Sequence, residues 1–421
     1  MLVIERREAR RLRSARGWIL VYGRRKVGKS FTIRRYLDWK VYATISRARD
    51  AIVEDSSGIR KMELDVALGL VVNALTAGET AVVDEFQRLP DGAWDLLATP
   101  HPQGQLVAAG SSMGIVRRVF DKRSPLLGLV QPFKMDIIRY ADAVASLSRQ
   151  VDPTSSLEWA VIVRDPWISP MVNPSSEGDP ARWLCDAAPQ LVMSAVGLVG
   201  EVFSEEERTL TALYDSVLRL LAEGMWRPSE IASILTSRGL LQGGTPAVTG
   251  ILRRLADMGL VDGIPLWKSR RARVYYRHRS PLLSLLLNME QKFGVSDGYR
   301  PEYESVRSAF GREVEYSVGE MLAERLDGRL AHYVSERGDV DVVVLNKRRK
   351  NVLAAYEVKL GGISRSEARE AVDRMLDLGA PRVGLVSLRE EPPAVEGAHE
   401  VLGPEDLVEM ARRLFEGARG S

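Results

Sequence analysis

The sequence predicts an α/β protein that opens on a mostly parallel sheet covered by helices. Three observations predict it. Short apolar runs at Trp18–Gly23, Thr80–Val83 and Leu106–Ala109 read as buried strands. Helical stretches lie between them, the alternation expected of parallel strands. A length of 421 residues also exceeds what one hydrophobic core holds, so two to four domains are expected.

Composition narrows the class. Hydrophobic residues are 45% and charged residues 27%, an ordinary globular balance. With 59 Lys and Arg against 56 Asp and Glu, the net charge is +3, so any face for nucleic acid must be local. The lone Cys185 permits no intramolecular disulfide and fits a reducing compartment. No signal-like apolar segment follows Met1, and the longest uncharged stretch, Ala187–Gly200, falls short of the ~20 residues of a membrane span. A cytoplasmic protein with no membrane partner is therefore expected. His101, His278, His332 and His399 are too scattered to imply zinc.

In chain order, the first strand ends in a Gly- and Lys-containing turn, and Phe31–Trp39 follows with helical spacing. This first unit closes near Pro132–Asp136, giving a core over residues 1–136. Residues 137–205 read as a mainly helical lid with a Pro-rich interruption at Pro166–Pro180. Within 206–292, Glu206–Glu223 reads as a long amphipathic helix, and Pro228 opens a second at a position where its missing N–H costs nothing. A third, from Thr245, repeats apolar residues at Val248, Leu252 and Leu255. Gly263–Tyr276 then reads as a β-hairpin carrying Lys268, Arg270, Arg271 and Arg273. Three helices with a basic hairpin make a winged helix-turn-helix. A linker spans 293–305. Residues 306–421 read as a second α/β unit: helix Arg312–Leu326, three strands, helix Ser364–Leu378, strand Arg382–Val386 and a closing helix.

The turn carries the first chemistry. Gly23-Arg24-Arg25-Lys26-Val27-Gly28-Lys29-Ser30, followed by Phe31, matches the phosphate-binding pattern GxxxxGK[ST]. Its glycines let backbone N–H groups and a helix N-terminus face an anion. Lys29 is expected at the β- and γ-phosphates and Ser30 at Mg²⁺. A second apolar strand ends in Asp84-Glu85, which places Asp84 near the metal and Glu85 at the attacking water. Together they predict a P-loop NTPase that binds and hydrolyses ATP. A third strand ends in Gly110-Ser111-Ser112, suited either to sensing the γ-phosphate or to a simple turn.

The early Arg7-Glu8, the loop at 23–30, the Val-Val-Asp-Glu-Phe-Gln run at 82–87 and the Gly-Ser-Ser strand end come in an order that resembles the predominantly archaeal ATPase family of the AAA/STAND-like P-loop class. Members commonly carry a winged helix and a C-terminal domain that looks like a PD-(D/E)XK, restriction-endonuclease-like nuclease. The resemblance implies Gly28, Lys29 and Ser30 at phosphates and metal, Asp84 and Glu85 at metal and water, and Arg7-Glu8 near the adenine. The chain departs from the family at Leu126-Leu127-Gly128-Leu129, where the family places an arginine after glycine. A transition-state arginine must then come from Arg117, Arg118 or Arg123, or be absent. Ser280-Pro281 stands where the family has Asp-Pro.

In the last unit, Asp339 and Asp341 precede a basic segment around Arg349, and Glu357 and Lys359 follow it. Residues two apart share a strand face, and a tight turn centred on Arg349 sets Asp341 opposite Glu357 and Asp339 opposite Lys359. Two carboxylates can hold Mg²⁺ or Mn²⁺, and a lysine beside them can steady a nucleophile. This resembles the PD-(D/E)XK signature: Asp341 and Glu357 at the metal, Lys359 as the lysine, and Glu315 as the helical acid. The bland counterpart is a solvated, salt-bridged face.

The third helix exposes Thr249, Arg253 and Arg254. With the hairpin it is expected to dock DNA, the helix on bases and the wing on phosphates. The leading expectation is an ATP-regulated DNA-binding or DNA-processing protein. The rival is a STAND-type ATP-dependent switch whose last domain only binds a partner, and a third reading is an AAA-like motor ring. A protein partner or self-assembly stays open.

Overall fold

A computed structural model describes residues 2–111, 113–175, 178–205, 211–268, 274–335, 338–348 and 351–417. The chain opens with α1 (Arg7–Ser14), β1 (Trp18–Tyr22) and α2 (Lys29–Tyr36). It continues through β2 (Val41–Ile45), β3 (Ala51–Asp55), β4 (Gly58–Met62), α3 (Leu64–Thr76) and β5 (Thr80–Asp84). Then come α4 (Gly92–Ala98), β6 (Gln105–Gly110), α5 (Met113–Val119) and β7 (Val130–Lys134). Seven strands form one sheet in the order β4-β3-β2-β5-β6-β1-β7. It is parallel except for the β3–β4 hairpin at its edge. The strands of the three apolar runs lie side by side as β5-β6-β1. Ile19, Leu20 and Val21 are sealed on both faces, each such side chain stabilising by about 1.5–3 kcal/mol.

The helical stretch is α6 (Tyr140–Leu147), α7 (Pro153–Val163) and α8 (Pro180–Glu205). Asp152 caps α7 by accepting from the Ser155 N–H at 3.0 Å. By length and composition Pro180–Ser204, mean hydropathy 1.3, is long and apolar enough to cross a membrane. Its Leu184, Leu191, Ala195, Leu198 and Val202 face is buried instead, with α8 packed on the helices of the next two units.

The helix expected from Glu206 begins at Ala212, and residues 206–210 lie outside the described residues. α9 (Ala212–Ala222), α10 (Pro228–Ser237) and α11 (Gly244–Asp257) precede an antiparallel pair, β8 (Val261–Pro265) and β9 (Val274–His278). The tip of that hairpin, with Arg270, Arg271 and Arg273, lies outside the described residues. α12 (Pro281–Phe293), capped by the Ser280 hydroxyl on the Leu283 N–H, was not expected as a separate helix.

α13 (Tyr303–Arg325) begins nine residues before the expected Arg312. It is followed by β10 (Gly328–Tyr333), β11 (Val340–Asn346), β12 (Val352–Lys359), α14 (Arg365–Asp377), β13 (Val383–Ser387), β14 (Glu400–Leu402) and α15 (Pro404–Gly417). A capping box at Ser364 and Glu367 starts α14. The sheet order is β10-β11-β12-β13-β14, antiparallel over its first three strands and parallel over the rest. Alternate residues serve its two faces: Val343, Ala355 and Leu385 pack with α14, whereas Val342, Ala354 and Val386 join a larger core. That core runs without a break from Ile4 through α6–α13 to α15. The helical, hairpin and C-terminal segments therefore share one apolar interior.

Candidate nucleotide-binding site

β1 delivers the 23–30 loop to the C-terminal edge of the sheet, between β6 and β7. Gly23, at φ +152°, has the carbonyl oxygen of Met135 so close that an added Cβ would sit 1.8 Å from it. Only glycine fits. Lys26 (φ 62°) and Gly28 (φ 88°) are left-handed and swing the chain into α2. The buried Lys29 crosses the loop and its Nζ donates to the carbonyls of Gly23 (2.8 Å) and Arg24 (3.1 Å). Arg6 clamps the loop from outside, donating to the carbonyls of Val27 and Asp136, each at 2.8 Å.

Asp84 ends β5 and is buried. It accepts from the Tyr42 hydroxyl at 2.6 Å and from the Glu85 N–H at 2.9 Å. Burial, reinforced by the Asp84 charge and hydrogen bond, raises the Tyr42 phenol. Tyr42 thus caps the strand-end acid from β2. Sequence reasoning missed it because β2 carried no motif. Its one signal was a Val-Tyr-Ala-Thr-Ile run at 41–45.

Glu85 is left-handed (φ 58°), and its carboxylate is held by Gln87 Nε2 (2.8 Å), Arg88 (3.0 Å) and Arg25 (3.3 Å). Gln87 also donates to Ser111 Oγ at 3.0 Å, at the end of β6, so that strand end does reach the acid. Ser112 lies outside the described residues. Of the arginines expected near the transition state, Arg117 pairs with Asp257 at 3.2 Å. Arg118 pairs with Asp91 and covers the Trp94 ring. Among the described residues the guanidiniums on Glu85 are those of Arg25 and Arg88, one inside the loop motif and one three residues past the acid.

An apolar pocket of about 270 Å³ opens behind the loop, lined by Leu2, Ile4, Arg6, Gly28, Phe31 and Trp167 among others. Arg7 and Glu8 are not among the residues that line it. The Arg7 guanidinium is spent on Asp142 (2.5 Å) and Glu324 (2.6 Å), fastening α1 to α6 and α13. Glu8 pairs with Arg6 (3.3 Å) and Arg139 (3.4 Å).

The loop is wired to the rest of the chain by buried charges. Arg24 pairs with Asp165, whose other oxygen accepts from the Ser280 hydroxyl. Next to it, Arg279 bonds Asp262 (2.7 Å) and Glu320 (2.9 Å) and lies 3.5 Å from Asp136. Arg164 also pairs with Glu320. Burial would raise Glu320, but Arg164 and Arg279 outweigh it and hold the carboxyl at about 2. Burial likewise opposes ionisation of Asp136, and Arg279 and Lys134 bring it to about 2.

In the C-terminal sheet, the register Val342↔Tyr356 continues to bring Asp341 beside Glu357, as the spacing predicts. Lys359 Nζ is 2.8 Å from Glu357 and 3.9 Å from Asp341, and the Val358 N–H donates to Asp341 at 2.9 Å. Burial first, then the neighbouring acids, push Asp341 and Glu315 up from the usual carboxylate range. Asp339 is turned elsewhere and accepts from the Ser335 N–H at 2.9 Å. Arg374, from α14, is 2.9 Å from the second oxygen of Glu357. It was not foreseen, since nothing in the sequence links position 374 to 357. Among the described residues no three His, Cys, Asp or Glu side chains converge tightly enough to hold a metal ion.

The described part of the hairpin is docked on this sheet. The Trp267 N–H donates to the His332 carbonyl (2.8 Å), its ring packs on Tyr333, and Lys268 Nζ donates to the Leu378 carbonyl (2.6 Å). Arg253 and Arg254 of α11 are exposed, and Thr249 bonds back to Thr245.

No protein-family model matches the chain, and no curated protein does. Among solved structures, it is similar to a Walker-type ATPase, PABY2304 of Pyrococcus abyssi, with 16% identity, 68% of this chain and 96% of that one covered, and a TM-score of 0.47. It is also similar to the Aeropyrum pernix ORC2 protein in its ADPNP-ADP complexes (13% identity, 73% and 92% covered, TM-score 0.39). A third is the STAND protein PH0952 of Pyrococcus horikoshii, which has a tetratricopeptide repeat sensor (14% identity, 76% and 45% covered, TM-score 0.29). At such identities and scores none of them assigns an activity or a partner to this chain.

Proposed function

We propose that this chain is an ATP-binding and ATP-hydrolysing switch that acts on DNA from the cytoplasm. The observation that carries the nucleotide reading is the meeting of the 23–30 loop and the strand-end acids at one edge of a parallel sheet, where Arg25 of the loop pairs with Glu85 at 3.3 Å. In this reading the loop N–H groups and Lys29 hold the phosphates, and the apolar pocket at Phe31 and Trp167 takes the base. Mg²⁺ held by Ser30 and Asp84 would draw charge from the phosphates. Glu85 orients and deprotonates the attacking water, with Arg25 and Arg88 as the cations closest to it. A change at the loop reaches the rest of the chain through Arg24, Asp165 and Ser280. The test is binding of a fluorescent ATP analogue together with phosphate release. Lys29→Ala should lose binding, and Glu85→Gln should bind but not turn over. A Lys29→Ala protein that binds as well as wild type refutes the site.

A second reading concerns the last unit, where Asp341, Glu357 and Lys359 share one patch. The fold there is read as nuclease-like, cutting DNA with Mg²⁺ or Mn²⁺ once Glu315, Asp341 and Glu357, which do not converge on a metal as they stand, are drawn together by the cation. Glu357 must then exchange Arg374 for the cation. The segment from α9 to β9 is read as the winged helix-turn-helix, with Arg253 and Arg254 toward DNA. Cutting that persists in both Asp341→Ala and Glu357→Ala proteins removes the nuclease reading and leaves a module that binds a partner.

A further inference from the structure

The turn between β2 and β3 presents two arginines, one of them from an unfavourable backbone. Arg49 is left-handed, at φ 63°. The turn is closed by the Ser46 N–H on the Asp50 carbonyl (2.9 Å), the Arg49 N–H on the Ser46 carbonyl (3.2 Å) and the Ala48 N–H on Ser46 Oγ (3.1 Å). Glycine would hold the same turn without that strain. Arg47 and Arg49 are exposed, and among the described residues their guanidiniums make no hydrogen bond or ion pair.

They face a cleft of about 490 Å³ whose wall also carries Arg88, Arg118 and Gln87, against the single carboxylate of Asp91. Asp91 is already engaged by Arg118. Arg88 spans the floor, from the Ile45 carbonyl (2.9 Å) to Glu85 (3.0 Å). Arg88 and Arg118 are already paired with Glu85 and Asp91, so the uncompensated positive potential of this concave wall comes from Arg47 and Arg49. The planar forks suit phosphate oxygens.

We propose that this cleft binds the phosphodiester backbone of a nucleic acid. A protein ligand would need an apolar or aromatic anchor pocket. The wall offers only Leu89 and Pro90, and Leu89 is already buried. Phosphates need only the cations that are present. The cleft also lies against the Glu85 clamp. A phosphate that draws Arg88 and Gln87 outward loosens their hold on Glu85 and so raises ATP turnover. That coupling rests on the ATPase reading, whereas the binding does not.

The experiment is fluorescence anisotropy of labelled single-stranded and duplex oligonucleotides with the full chain over a salt series, with ATP turnover measured in parallel. The probes are wild type, the double variant Arg47→Glu/Arg49→Glu, and Lys29→Ala. Both cleft substitutions are at exposed positions, so the variant's melting temperature and basal turnover should match wild type. The variant is expected to bind at least about tenfold more weakly, with a salt slope reduced by about two. Lys29→Ala should bind oligonucleotide like wild type even where nucleotide binding fails. Oligonucleotide should stimulate wild-type turnover severalfold and leave the double variant unmoved. Unchanged affinity and slope in the double variant overturn the proposal. So does binding of inorganic phosphate or poly-glutamate without oligonucleotide. Intact binding without stimulation overturns the coupling alone.

Discussion

Arg24 of the 23–30 loop and Asp165, 141 residues later, form an ion pair whose side chains are 2% and 1% exposed. Asp165 uses its second oxygen on Ser280, at the start of α12, while Arg24 Nε and Nη1 are buried without a partner. One carboxylate therefore holds the loop, the end of α7 and the end of the hairpin. Removing it strands a buried guanidinium. Asp165→Ala should destabilise the protein by about 3–5 kcal/mol in urea unfolding. Ser280→Ala, which removes a neutral partner, should cost only about 1 kcal/mol. Equal costs for the two would refute a buried charge as the binding element.

Acid should unfold the protein in two stages. His278 is 1% exposed and bonds the Leu218 carbonyl at 2.8 Å, and burial lowers it to about 4. Unfolded histidine titrates near ~6.5, so between those values the unfolded chain binds the extra proton and stability falls as pH falls. That loss is about 3 kcal/mol by pH ~4 at one pKa unit per ~1.4 kcal/mol. Glu320 and Asp136 are depressed to about 2, so their contribution is complete above their unfolded values and drains away as pH drops from ~4.5 toward 2. Urea midpoints against pH should show the first stage flattened in His278→Gln and the second in Glu320→Gln. A second stage identical in Glu320→Gln would show that its pairing with Arg164 and Arg279 contributes nothing.

The Glu85 clamp predicts an asymmetry in turnover. Glu85→Gln should lower kcat by about 10²–10⁴ with ATP binding retained. Arg88→Ala removes one of the donors on that carboxylate and a bond to the Ile45 carbonyl. It should raise kcat severalfold and leave the KM for ATP nearly unchanged, as expected of a group that holds the acid back from the water. A rise in KM with kcat intact would place Arg88 at ground-state binding instead.

What the sequence made legible follows from how local each signal is. The strand–loop–helix at 18–36 is written in consecutive residues, and so is the opposition of Asp341 and Glu357, because an antiparallel pair with a short turn has its register set by counting. The edge strands β3 and β4 were missed because they are half exposed and carry no apolar run. Tyr42, Arg374 and the Arg24–Asp165–Ser280 chain were missed for another reason. Each joins residues far apart in sequence, and an arginine or aspartate about to be buried looks like any surface charge until its partner is known. The partners of Arg7 were hidden in the same way, since Asp142 and Glu324 lie 135 and 317 residues from it.

The C-terminal acids give the last prediction, one that reports on metal binding without requiring cleavage. Burial and the nearby Asp341 and Glu357 raise Glu315, and Lys359 only partly offsets them. A carboxyl whose folded pKa lies above its unfolded value is protonated preferentially in the folded state. Its charging therefore costs stability as pH rises through the folded value. Glu315→Gln should stabilise the protein at pH ~8 by on the order of 1 kcal/mol, or about 2–4 °C in Tm, and the gain should vanish near pH ~4. A divalent cation among these acids reverses the sign, because it favours the ionised form and binds only the folded chain. Mg²⁺ or Mn²⁺ at millimolar concentration should then raise the Tm of wild type at pH ~8 and not that of an Asp341→Asn/Glu357→Gln protein. If neither cation moves the wild-type Tm while Glu315→Gln still stabilises, the cluster is a salt-bridged patch in which Lys359 and Arg374 already satisfy Glu357.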